Sequence, residues 1–102
     1  MRTLTAAVVT SMLLLVELDR GIRDLKALVA ERFEELSVRL RRRLARRLRD
    51  VDCRRAVLAE RYDALVGETG NPWADAQSGF VDGVRAVQEV YDAAVSEYRR
   101  SR

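Results

Sequence analysis

Nine arginines fall between residues 39 and 55: Arg39, Arg41, Arg42, Arg43, Arg46, Arg47, Arg49, Arg54 and Arg55. A guanidinium is a planar, permanently charged fork that pairs with carboxylate or phosphate through two donors. At helical spacing Arg39, Arg42, Arg46 and Arg49 share one side, and Arg43, Arg47 and Arg54 the other. A thin apolar line of Leu36, Leu40, Leu44, Leu48 and Val51 runs between them. Residues 36–55 set nine Arg against Asp50 and Asp52, a net +7, whereas the whole chain is only +3. The chain is therefore near neutral, with one basic belt. A belt of this kind meets an anionic partner or an acidic surface of its own kind.

Three readings of the belt follow. In the first it is a solvated helical face neutralised inside an assembly, with Asp75, Asp82 and Glu89 as the complement. In the second it contacts nucleic-acid phosphate, DNA or RNA, without reading sequence. The belt holds no aromatic to stack on bases and no Asn or Gln to read base edges. In the third it meets an acidic protein or an anionic membrane surface. The expected function is a non-enzymatic, nucleic-acid-associated accessory protein of phage or host type. The rival is a structural or adaptor protein that binds an acidic partner by helix–helix contacts.

The residues that are missing exclude most catalysis. There is no His, so Ser-His and Cys-His dyads and the main nitrogen metal ligand are absent. A single Cys, Cys53, rules out an internal disulfide and a structural zinc site; it is expected half-buried on a helix. Gly67-Glu68-Thr69-Gly70 lacks the Lys-Ser/Thr that completes a phosphate-binding loop. Glu31, Glu34 and Glu35 read as a solvated face pairing with Arg39 one turn on. No cofactor or metal is expected.

The elements that would position the belt are helical. Apolar residues make up 48 %, with one Pro and five Gly. No Gly or Pro lies between Ile22 and Val66. Turn signals every ten residues or so, which a β protein needs, are absent. The expected fold is all-α, a single domain of long antiparallel helices in a hairpin or bundle. Helices are expected over about 4–48, 51–66 and 73–99, with a loop at 67–72.

Leu18, Ile22, Leu25, Val29, Phe33, Leu36, Leu40 and Leu44 follow spacings of 4, 3, 4, 4, 3, 4 and 4. This eleven-residue repeat suits a nearly straight helix. Gly21 marks a kink or break within it, and Arg49-Asp50-Val51-Asp52 either turns or continues the helix. Gly67 caps one helix, Asn71 and Pro72 start the next, and Trp73 is expected to pin the loop to the core. Phe80, Val84, Val87, Tyr91, Ala94 or Val95, and Tyr98 form the last seam, with Gly79 and Gly83 on another edge permitting a close crossing.

One helix over residues 4–66 would be about 95 Å long, against about 40 Å for the last. The apolar stretch from Ala6 to Phe33 would then be bare, which a monomer does not tolerate. Either the chain folds back near Gly21 or Arg49, or copies associate. Association is the favoured expectation, through Val8, Met12, Leu14, Leu15, Leu18, Ile22, Leu25, Val29 and Phe33. Residues 3–16 are uncharged. That run is shorter than the roughly 20 residues of a membrane span and lacks a leader's cleavage site, so a cytoplasmic location is expected.

Overall fold

Burial falls on sevens in every helix, and that period explains the architecture. Leu15, Ile22 and Val29 are buried, as are Leu44, Val51, Leu58 and Leu65, and Phe80, Val87 and Ala94. A seven-residue apolar repeat keeps one stripe of each helix facing its neighbours. A computed structural model describes the backbone of residues 2–67 and 72–100, and the side chains of 8–67 and 74–100. It contains α1 (Arg2–Glu31), a short 3-10 turn (Phe33–Glu35), α2 (Val38–Gly67) and α3 (Pro72–Arg100). No strand occurs among the described residues. The three helices form a rod with Cα extents of 52 × 17 × 16 Å.

Pairings give the directions. Arg43 meets Glu97, Arg54 meets Glu89, and Arg61 meets the Gly79 carbonyl. The α3 number falls as the α2 number rises, so this pair is antiparallel. Asp19–Arg55 and Lys26–Asp52 make α1 antiparallel to α2 as well. The closest helix pair is α2 with α3. Two core clusters divide the rod. Leu15, Ile22, Val51, Leu58, Leu65, Phe80, Val87 and Val90 fill one half. Leu25, Val29, Leu36, Leu44, Ala94 and Tyr98 fill the other.

The first helix ends at a place the spacing pattern did not indicate. Gly21 lies inside α1, and Arg49–Asp52 lies inside α2. The chain instead reverses at residues 32–37. Glu35 and Leu36 donate to the carbonyls of Arg32 and Phe33, and Leu36 then turns extended at φ −81°, ψ 144°. Ser37 caps α2, its Oγ accepting the Leu40 N–H at 3.2 Å. Such a cap contributes about 1 kcal/mol. Arg41 clips the turn from the following helix, donating to the Phe33 carbonyl at 2.8 Å and the Glu34 carbonyl at 3.1 Å. Its guanidinium lies 4.5 Å from the centre of the Phe33 ring. The eleven-residue repeat is thus two heptad helices read continuously across a turn.

Two glycines permit close packing. A Cβ on Gly83 would come within 2.9 Å of Leu58 Cδ1, and one on Gly21 within 3.0 Å of the Tyr91 hydroxyl. Gly79 has open space instead. Gly79→Ala is therefore expected to stabilise by about 0.5–1 kcal/mol through helix propensity alone. Gly83→Ala sets the same gain against overpacking of about 1–3 kcal/mol and should be neutral or destabilising. Urea unfolding of the two variants checks this, and equal stabilisation would contradict the close α2–α3 crossing.

Among the described residues no helix is long and apolar enough to cross a membrane. The loop expected at 67–72, its Asn71 cap and the Trp73 ring lie outside what is described, apart from Gly67 ending α2 and Pro72 opening α3.

Candidate nucleic-acid interface

The belt occupies the first half of α2, and the fold divides its arginines into two sets. Those facing a neighbouring helix, Arg47 apart, are engaged within the chain. Arg43 lies 3.7 Å from Glu97, a carboxylate whose side chain is only 10 % exposed. Arg54 donates to the Ala86 carbonyl at 3.2 Å and stands 3.9 Å from Glu89. Half-buried Arg47 shares the heptad position of Arg54 and Arg61. Arg55 reaches the other way and grips Asp19 of α1 with two bonds of 2.6 and 2.8 Å. Arg41 is held at the turn.

The second set faces water. Arg39, Arg42, Arg46 and Arg49 are exposed, and no described carboxylate lies within ion-pair distance of any of them. Spacings of 3, 4 and 3 confine them to roughly 80° of arc over about 15 Å of helix. Val38, Arg39, Arg42, Arg43 and Arg46 line an open depression of about 550 Å³.

The acidic groups are placed differently from expectation. Glu89 pairs with Arg54 of its own chain, while Asp75 and Asp82 are exposed in the half of α3 remote from the row. Glu34 and Glu35 meet Arg41 and Arg32, not Arg39. Cys53 is exposed and free. No group of three His, Cys, Asp or Glu among the described residues is placed to hold a metal ion.

Most of the residues proposed for self-association belong to the chain's own core. Leu15, Ile22, Leu25 and Val29 are buried against α2 and α3, and Leu18 packs beside them. Val8 is half-buried, and Phe33 is 44 % exposed beneath Arg41. Met12 and Leu14 do face out, together with Val9, Leu13 and Val16, at 40–55 % exposure. Folding back at 32–37 covers the stripe from Leu15 to Val29 and leaves the patch at 9–16 bare.

Sequence reasoning missed two cations at this end of the rod. Arg99 and Arg100 close α3. The Arg43–Glu97 contact fixes the register, so Arg100, one turn beyond Glu97, stands towards the Arg39 end. Basic residues in the last turn of a helix were a readable signal. Their proximity to the belt was not, because it depends on how α3 returns.

The Asp19–Arg55 pair has a pH consequence. The hydrogen bond from Arg55 holds the Asp19 carboxyl below its ordinary value of 3.8, against an opposing effect of burial. A lowered folded pKa stabilises the fold above about pH 4, and that stabilisation is lost as pH falls through the folded value. Asp19 is 45 % exposed, so screening holds the contribution to about 0.2–1 kcal/mol. Asp19→Asn should lower stability by that amount at pH 7. Urea titrations should show the gap between variant and wild type closing well below pH 4; a gap independent of pH would contradict the pairing.

Compared with known proteins, the chain matches no family model, no curated protein and no solved structure.

Proposed function

We propose that this protein acts by binding and not by catalysis, and that Arg39, Arg42, Arg46 and Arg49 contact nucleic-acid phosphate. One observation carries the reading: among the described residues the four exposed guanidiniums lack a carboxylate partner while Arg41, Arg43, Arg54 and Arg55 in the same helix are engaged. Unneutralised cations on a rigid element favour a polyanion, because each contact releases counterions from it. The same end of the rod is basic as well, since Arg100 closes α3 there. An acidic protein partner is the competing occupant. Fluorescence anisotropy with random-sequence DNA and RNA across a salt series tests the reading. Binding that weakens steeply with salt supports it, and no binding at low salt overturns it.

Self-association forms a second part of the proposal. Val9, Met12, Leu13 and Val16 repeat at helical spacing on a face that α2 and α3 do not cover. A copy of the chain offers the same uncharged stripe, and the paired area would be small, so a weak association is expected. Sedimentation showing only the 11.6 kDa monomer at high micromolar concentration would remove this part and leave phosphate binding standing.

A further inference from the structure

We infer that the preferred ligand is a duplex, held along its backbone by Arg39, Arg42, Arg46 and Arg49 of α2 together with Arg100 of α3. This rests on the phosphate reading above and adds the form of the nucleic acid. Three observations point the same way.

The first is rigidity. Arg39 to Arg49 sit on an uninterrupted helix whose opposite face is pinned by Leu44 and Val51, 1 % and 0 % exposed. Their heights along the axis are set by the helix, about 4.5, 6 and 4.5 Å apart. A duplex presents a fixed phosphate lattice with a charge every ~1.7 Å of axis, so some nine phosphates lie within the length of the row. A single strand would have to be ordered to meet it, at an entropic cost.

The second is the lack of a stacking platform beside the row among the described residues. Binders of single strands interleave cations with exposed aromatic rings. At this end of the rod Phe33 is 44 % exposed but has the Arg41 guanidinium stacked on its ring, and Tyr98 is only 6 % exposed. Tyr62 and Phe80 pack against each other in the other half, with ring centres 6.1 Å apart.

The third is shape. A strand without a partner is usually held in a groove that tracks its backbone. Here the row rides on the outside of a rod 17 × 16 Å across, and the depression that Arg39, Arg42 and Arg46 help to line is open and does not enclose a strand. An open, charged face meets the surface of a helix of nucleic acid without enclosing it.

The test uses the whole protein with a labelled 20-base-pair DNA duplex, an RNA duplex of the same length and a 20-nucleotide oligothymidine strand. Anisotropy titrations run from 50 to 200 mM salt. At least one duplex should bind about tenfold or more tighter than the strand at the lowest salt. Five contacts imply a log–log slope near −4.5 on the duplex, or about 500-fold weaker binding across that range. Arg100→Ala should reduce the slope by about 0.9 with no change in melting temperature. Equal or tighter binding of oligothymidine overturns the duplex inference and leaves the phosphate reading intact. An unchanged slope in Arg100→Ala removes α3 from the contact. Failure of all three probes to bind overturns both readings.

Discussion

Arg42→Glu combined with Arg46→Glu should lower nucleic-acid affinity by roughly 100-fold or more at low salt, with the fold unchanged. Two phosphate contacts are lost and two repulsions replace them, and the salt slope should shrink by about 1.8. The fold should tolerate the change. Both residues are exposed and neither ion-pairs with a described carboxylate, and substitutions at such positions usually stay within about 0.5 kcal/mol. Each new Glu has an Arg three residues away, Arg39 for position 42 and Arg43 and Arg49 for position 46, which offsets the repulsion between the two Glu four residues apart. Anisotropy gives the affinity and circular dichroism the fold. The rival reading predicts a different outcome. If the row meets acidic side chains of another copy, the double variant loses self-association and wild type ignores nucleic acid. Asp82→Arg should then partly restore association. Asp82 neighbours Gly83, which packs beside Leu58 and Arg61 in the half of the rod remote from Arg46. Rescue must therefore pass between chains. No rescue, together with salt-sensitive binding, eliminates the rival; rescue without binding eliminates the phosphate reading.

Leu58→Ala should cost about 2–5 kcal/mol, a large fraction of the 5–15 kcal/mol that stabilises a domain of this size. Leu58 is 0 % exposed, in a cluster with Val51, Leu65, Phe80 and Val87. Its removal leaves a cavity where α2 packs directly on Gly83 of α3. A fall in melting temperature of about 10–30 °C is expected. The contact with Gly83 supplies an internal control. A Cβ at Gly83 would meet Leu58 Cδ1 at 2.9 Å, and that atom is absent in the variant. Gly83→Ala should therefore stabilise the Leu58→Ala background while being neutral or harmful in wild type. A double-mutant cycle with no coupling would contradict the packing of these two residues.

The all-helical fold was legible because it depends on local quantities. The chain is rich in helix formers, and Phe80, Val87 and Leu58 sit on seams a reader can count. Gly83 at the close crossing was readable for the same reason. The reversal at 32–37 was not, because residues 32–36 carry no turn signal. Arg32-Phe33-Glu34-Glu35-Leu36 contains no Gly, Pro or Asn. Its conformation is held by Arg41 reaching back to two carbonyls, and by the burial of Leu36 at 5 % exposure. Ser37 was the one local clue, a cap residue without the Glu or Gln three positions on that would complete a capping box. Residue 33 also kept the apolar spacing intact, so the pattern read straight through.

Composition and periodicity by themselves determined that this chain is helical, that its positive charge is concentrated in one short segment, and that dyad catalysis and a structural zinc site lack their residues. These follow from residue types and from distances of one or two helical turns. Only the tertiary structure decided which arginines are available. Arg55 is occupied because Asp19, 36 residues away, returns beside it, and Arg43 because α3 brings back Glu97. The same reversal turned Leu15 to Val29 from an exposed stripe into core. Pairing across that many residues depends on where the chain turns, and here a long side chain and a buried leucine hold the turn, which no local pattern of residues encodes.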